Sequence, residues 1–412
     1  MSLGPLRSTS TWGLPFFVTL VAMFALQLSN LGFSPLLPSI QQDFGMNYKQ
    51  LGLFTGIYGL LALALSVPAG ISAKRFGEKR VLGVGLLGVA AGSLLLGQAW
   101  NFESALAFRG LTIFGYRFAF VCVLIAIALT APPSLRGRTM GILGATSALS
   151  SVIGAPIGGG LADALGWRQA ILGYAAMAVL GAAAFWLFYR PTAEGGLRAV
   201  DGHSSGTGTS RSAFLSPVVW ILALIVGMGG FGQFTVTNFV PSVGNAVFNL
   251  DAKAAGIIIS TGYITAMIVN ILVGFLMDRF NKLVVLGGVF ILLAAASASL
   301  TIENLTIFRV ATAVVIGLGF SAANQLYGLA GSVTSRSETG NAMGIVSLGA
   351  GLFGYFGPQM VGILRDWTGS FAAGFYMVAI ADVITLGLIV LLYRMDRGLR
   401  PRRLKEDYAC AE

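Results

Sequence analysis

Charge is scarce in this chain. Asp, Glu, Lys and Arg together supply 10% of its 412 residues, where a soluble globular domain carries roughly a quarter. That scarcity excludes a water-soluble globule. Histidine occurs once, at His203, and cysteine twice, at Cys122 and Cys410. One imidazole in a Gly/Ser/Thr-rich stretch and two separated thiols suggest neither a disulfide framework nor a His/Cys/carboxylate metal cluster. Also missing are a glycine-rich phosphate loop ending in Lys and Ser/Thr, and a nucleophile with a histidine partner. The expectation is a protein that is not an enzyme, has no cofactor and no metal, and draws any energy it needs from gradients or exchange. Ten-residue blocks of alternating polarity, the mark of an outer-membrane barrel, are absent as well.

What the sequence has in abundance is apolar length. Hydrophobic residues make up 56% of it, glycine contributes 56 residues, and the mean hydropathy is +0.81. Glycine at this level suits membrane helices that pack closely through small residues. Apolar runs long enough to cross a bilayer fall at about 14–38, 50–72, 81–99, 103–131, 139–163 and 168–190, then at about 214–243, 252–276, 283–301, 304–331, 339–365 and 371–394. The run beginning near Trp12 follows a single Arg7 and has no small-residue cleavage site, so it reads as a first membrane helix and not as a cleaved signal.

The net charge of +10 is distributed by topology. Lys74, Arg75, Lys79, Arg80, Arg136, Arg138, Arg279, Lys282 and the basic stretch after Tyr393 all fall on one side of the predicted spans. The other side keeps Lys49, Arg168, Lys253 and Arg365. By the positive-inside rule both termini are expected in the cytoplasm. The basic tail is a topology and headgroup anchor on the lipid bilayer, and no nucleic-acid partner is implied.

The two sets of six spans repeat in sequence. Gly70 with Arg75 matches Gly274 with Arg279, Met140-Gly141-Ile142 matches Met343-Gly344-Ile345, and Asp163 with Gly166 matches Asp366 with Gly369. The segment GISAKRFGEKR, Gly70 to Arg80, together with GFLMDRFNK, Gly274 to Lys282, resembles the signature loop of the major facilitator superfamily. Gly70, Arg75, Gly77, Lys79 and Arg80 fit that pattern, while Lys74 takes the acidic position and Glu78 a usually basic one. The second copy keeps Asp278 and Arg279. After Ser150, Ala155-Pro156 followed by Gly159-Gly160 resembles a fifth-helix motif of drug/proton antiporters within the same superfamily. Its physical content is a kinkable helix with small side chains.

The resemblance covers the whole chain. It implies an all-α integral membrane fold with twelve transmembrane helices in two pseudo-symmetric six-helix bundles. The expected units are a first bundle at 1–190, a cytoplasmic linker at 191–212, a second bundle at 213–394 and a basic tail at 395–412. Function is expected as a secondary active or facilitative transporter working by alternating access, as a monomer, in a bacterial inner membrane. A small-molecule substrate is implied, with a coupled proton or an exchanged anion.

Candidate site residues follow from polarity inside the spans. Arg109 and Arg117 both lie in the fourth span, where an arginine is costly unless it faces protein or a wet cavity. Arg109 follows Glu103 by six residues, as Arg309 follows Glu303. This duplication favours a structural or gating role for Arg109 and Arg309, with substrate contact as the alternative. Arg117 aligns with Gly317 and breaks the repeat, which favours anion contact there against a buried pair with a neighbouring helix. Gln27, Asn30, Gln233, Asn238, Tyr263 and Asn324 are the expected polar lining of a substrate cavity, each with an interhelical hydrogen bond as its alternative. Lys74, Arg75, Asp278 and Arg279 are candidates for gating. Asp382, the one acid deep in a span, is a candidate for coupling or for a pair within the second bundle. A positive cavity poor in acids suggests a small organic or inorganic anion as substrate. The alternatives are a proton-coupled exporter of drugs or metabolites, and a non-transporting receptor or assembly factor of the same fold.

Overall fold

The computed structural model describes residues 13–130, 136–189, 217–333 and 339–409. Among the described residues the chain is helical and has no strand. The first half holds α1 (Leu14–Leu31), a 3-10 turn (Ser34–Leu36), α2 (Leu37–Asp43), α3 (Tyr48–Phe76), α4 (Glu78–Gly97), α5 (Phe102–Thr130), α6 (Arg136–Leu165) and α7 (Trp167–Phe188). The second holds α8 (Pro217–Phe248), α9 (Ala252–Arg279), α10 (Lys282–Ser299), α11 (Leu305–Val333), α12 (Thr339–Thr368) and α13 (Ala372–Ala409). The expected linker at 191–212 and His203 lie outside the described residues.

Eleven spans among the described residues are long and apolar enough to cross a membrane, α1 and α2 counting as one. The long helix outside that group is α12, which is glycine-rich and packs against α3 and α8. Two features differ from the sequence expectation. The first span is broken after Leu31, because Gly32, Pro35 and Pro38 interrupt an apolar run that hydropathy alone reads as continuous. The last helix also continues to Ala409 through the stretch expected as a tail.

Sharp turns between helices use glycine where the backbone needs a positive φ. Gly77 (φ 83°) joins α3 to α4, and Gly166 (φ 92°) joins α6 to α7, a region that costs other residues steric strain. The α3–α4 turn lies on the side where α1 begins and α13 ends, here called the near side. The α6–α7 turn lies on the far side.

The two halves meet along two helix pairs, α3 with α12 and α6 with α9. Contact is concentrated toward the far side. A Cβ added to Gly52 would stand 2.4 Å from the Pro358 carbonyl oxygen, and one on Gly256 would stand 2.4 Å from that of Ala155. Only glycine permits so close a backbone approach. Toward the near side the halves part: an added Cβ at Gly70, Gly141 or Gly344 would meet nothing within 4 Å.

The far-side seam carries a pair of repeated hydrogen-bonded caps. Asp366 at the end of α12 accepts from the N–H groups of Tyr48 (3.1 Å) and Lys49 (2.8 Å) at the start of α3. Asp163 at the end of α6 accepts from Ala252 (3.1 Å) and Lys253 (2.8 Å) at the start of α9. Asn47 caps Gln50 and Asp251 caps Ala254 at the same two termini. The first three N–H groups of each helix, which have no partner within the helix, are thereby satisfied, two of them from the opposite half.

Candidate functional site

Between the halves lies a cavity of about 410 Å³. Its first-half wall comes from α1, the 3-10 turn, α3, α5 and α6, and its second-half wall from α8, α9 and α11. Seven of the eight residues expected at a substrate cavity border it: Gln27, Asn30, Arg109, Gln233, Asn238, Tyr263 and Asn324. Thr55, Tyr58, Tyr116, Ser34, Ser147 and Thr237 add hydroxyls, while Met23, Leu31, Phe120, Leu124, Leu143, Phe234 and Phe320 supply apolar wall.

The broken first span builds the far end of this cavity. Once the helix stops at Leu31, the chain turns under the control of Tyr174, whose hydroxyl donates to the Gly32 carbonyl (2.8 Å) and the Gly154 carbonyl (3.0 Å). The turn places the Phe33 ring against Arg109, with the guanidinium carbon 3.9 Å from the ring centre. It also lets the Ser34 hydroxyl reach across the seam to the Thr237 carbonyl, 2.8 Å away. Arg109 is 6% exposed and its Nε is buried with no hydrogen-bond partner. Among the described residues no carboxylate forms an ion pair with it, and no acidic residue lines the cavity. The ring face offsets part of the cost of burying this cation, about 2 kcal/mol when desolvated.

Farther along the cavity, Gln27 is fixed from two helices. Its amide oxygen accepts from the Tyr116 hydroxyl at 2.5 Å, and its nitrogen donates to the Ser147 hydroxyl. Tyr58 stacks on Phe234 of the other half, with ring centres 5.4 Å apart and an interplanar angle of 23°. Arg117 is not part of the cavity wall. Its guanidinium lies 4.2 Å from the centre of the Tyr58 ring, on which it stacks. The sequence expectation weighted Arg117 over Arg109 for substrate contact; in the structure Arg109 borders the cavity, and Arg117 lies against Tyr58 outside the lining.

The duplicated Glu–Arg spacing also proves unequal. Arg109 is buried, whereas Arg309 is exposed at the far-side end of α11 and borders no described cavity. Lys74, Arg75, Asp278 and Arg279 are exposed on the near side, where Arg75 lies over Phe76 and Arg279 over Phe275. Glu78 of the same loop is buried instead, accepting from the Tyr189 hydroxyl at 3.2 Å. Lys79 meanwhile donates to the Tyr189 carbonyl at 2.7 Å. Asp382 is 2% exposed, lies outside the cavity and accepts from the Ser297 hydroxyl at 2.9 Å, a pair internal to the second half.

Sequence reasoning did not single out Phe33, Ser34, Thr55, Tyr116 or Ser147. The signal available for the first two was the Gly32–Pro35–Pro38 spacing. For Tyr116 it was adjacency to Arg117.

Helices in two halves around a central, near-side-open cavity define a polytopic membrane carrier. The Major Facilitator Superfamily sequence profile matches residues 16–329 and 246–407, and the chain belongs to that family. It is similar to a nitrite extrusion protein of Bacillus subtilis (strain 168), at 25% identity over 382 residues, covering 88% of this chain and 90% of that one. A puromycin resistance protein, pur8 of Streptomyces alboniger, is 31% identical over 170 residues, or 41% of this chain and 33% of that one. Among solved structures, a bacterial homologue of the human lysosomal transporter Spinster, in an inward-facing and occupied conformation, shares the fold. Its TM-score is 0.74 at 17% identity, over 95% of this chain and 98% of that one.

Proposed function

We propose that this transporter moves a small organic or inorganic anion across the membrane by alternating access. The observation that carries the reading is Arg109, a buried cation in the cavity wall with no carboxylate paired to it among the described residues. A fixed guanidinium of this kind attracts an anion and supplies its hydrogen bonds in paired geometry. The nitrite extrusion protein similar along most of the chain supports the same class of cargo.

In this reading the near side, which carries the basic loops, is the cytoplasmic face of a bacterial inner membrane, with both termini there, and the cavity faces inward. The chain acts as a monomer, driven by a coupled proton or by an exchanged anion. Gln27, Asn30, Gln233, Asn238, Tyr263 and Asn324 orient the anion against Arg109, and Arg117 holds Tyr58 in the wall. Lys74, Arg75, Asp278 and Arg279 work at the cytoplasmic gate. The deciding experiment is uptake of nitrite, nitrate and short carboxylates into proteoliposomes. Saturable uptake that is lost in Arg109→Gln supports the reading, and the absence of any anion flux overturns it.

A second reading, export of drugs or metabolites coupled to protons, is favoured by the similarity to the puromycin resistance protein. Under that reading, expression raises resistance to lipophilic cations and Arg109→Gln leaves the resistance intact.

A further inference from the structure

The two halves fill the same far-side corner differently. In the first half, Asp43 at the end of α2 forms an ion pair with Arg168 at the start of α7. The Trp167 indole N–H donates to the same carboxylate at 3.0 Å, and Arg168 also donates to the Ala99 carbonyl beyond α4 at 3.1 Å. A cation and an anion of the chain itself close that corner.

The internal repeat carries the corner into the second half but removes both charges. Asp43 and Phe44 precede the cap Asn47 by four and three residues, as Val247 and Phe248 precede the cap Asp251. The residues that follow, Gly45 (φ 60°) and Asn249 (φ 50°), share a left-handed backbone. Val247 therefore takes the place of Asp43. The match of Asp163 and Gly166 with Asp366 and Gly369 likewise puts Phe371 in the place of Arg168. What stands there is a cavity of about 110 Å³ between the ends of α8, α10 and α12 and the start of α13, with Val247, Leu300, Glu303, Ser370 and Phe375 in its wall. It shares no lining residue with the central cavity.

One cation reaches this cavity from a different position. Arg365, which also lines it, stands where the first half has the buried Ala162. Its guanidinium lies 4.8 Å from the Phe371 ring centre and 5.0 Å from that of Tyr48 across the seam. Its Nε is buried without a hydrogen-bond partner, and among the described residues no carboxylate pairs with it. Aromatic rings attract the face of a guanidinium but satisfy none of the N–H groups at its edge. Glu303, the acid of the cavity wall, is exposed and forms no ion pair among the described residues. The start of α13 adds the positive end of a helix. There the Ser370 hydroxyl accepts the Ala372 N–H at 3.1 Å and keeps its own proton to donate.

We propose that this corner is a second anion site, separate from the central cavity, which takes a small singly charged oxyanion of the size of acetate or nitrate from the far side. The ion plays toward Arg365 the part that Asp43 plays toward Arg168. A planar oxyanion matches the guanidinium fork, and the cavity volume equals that of roughly three or four waters.

The test is calorimetric titration of the purified full-length protein in non-ionic detergent with acetate and nitrate, the bulky gluconate being the only other anion. Arg109→Gln serves as the background, because it removes the cation of the central cavity. Binding persists in that background and weakens about tenfold or more when Arg365→Gln is added. Val247→Asp supplies the missing carboxylate from the chain and weakens binding to a similar extent, whereas Val247→Asn leaves it within about twofold. The Val247 comparison decides the matter if Arg365→Gln does not remain monodisperse.

Binding that vanishes in Arg109→Gln and survives Arg365→Gln belongs to the central cavity, and overturns the far-side site while leaving the anion-transport reading in place. Binding that appears only after Glu303→Gln shows that the glutamate fills the corner itself, and overturns the site as well. Absence of binding by both anions in the Arg109→Gln background does the same.

Discussion

Asp163 and Asp366 do the same work from opposite halves. Each closes the first two backbone N–H groups of a helix in the other half, at 3.1 and 2.8 Å in both cases. A carboxylate at a helix N-terminus adds charge–dipole attraction to its hydrogen bonds. Because these bonds cross the seam, they stabilise the far-side-closed state and must be broken when that side opens.

Removing both carboxylates therefore weakens far-side closure. Caps of this type contribute about 0.5–2 kcal/mol each, so Asp163→Ala with Asp366→Ala shifts the opening equilibrium by roughly tenfold or more. The readout is far-side labelling of a cysteine placed at Thr55, in a chain otherwise lacking cysteine, by a membrane-impermeant reagent. Labelling faster in the double variant than in either single one is the expected result, and an unchanged rate in the double variant refutes the clamp.

The seam itself offers a steric test. Gly52→Ala and Gly256→Ala put a methyl 2.4 Å from a backbone carbonyl oxygen, an atom that cannot rotate away. Both variants should insert normally yet lose far-side closure and most of their transport rate. Gly288→Ala, where an added Cβ meets nothing within 4 Å, is the matched control and should stay within about 0.5 kcal/mol of the parent in stability.

The two membrane arginines should separate in kinetics. Arg109→Gln removes a charged donor from the cavity, worth about 1.5–3 kcal/mol to a bound anion, and raises KM about tenfold or more. Arg117→Gln loosens the Tyr58 ring that stacks on Phe234 across the seam, so its main effect falls on the rate. Equal KM increases in the two variants would show that both guanidiniums reach the substrate.

Asp382 should prove structural. Asp382→Asn replaces the carboxylate that accepts from the Ser297 hydroxyl by an amide oxygen, a weaker acceptor, so the melting temperature falls while KM is preserved. A variant that kept its thermal stability but lost proton dependence of transport would instead assign Asp382 to coupling.

The spans were legible because hydropathy and loop charge are local quantities. Even α12, diluted by glycine, could be placed from its repeat of α6 around Met343-Gly344-Ile345. The polar lining was legible for a related reason, since amides inside apolar spans need a partner or a cavity. What local pattern could not supply was lateral register. Glu103–Arg109 and Glu303–Arg309 share a spacing, but which way each arginine faces depends on how its helix is rotated against neighbours far away in sequence. One arginine ends buried over Phe33 and the other exposed. Asp163 and Asp366 were visible as a repeated pair at the outer ends of their spans. Their partners at Ala252 and Tyr48 were not, because those contacts exist only once the halves have docked.

The interruption at Gly32 has a wider meaning for how such a carrier must work. It makes the bottom of the cavity a joint and not a plate: Ser34 from one half rests on the Thr237 carbonyl of the other. Under the proposed function, a cargo molecule seated there touches the line along which the halves part when the far side opens. Departure on the far side and dismantling of the berth are then a single event, so the empty slot re-forms only as the doorway shuts behind it.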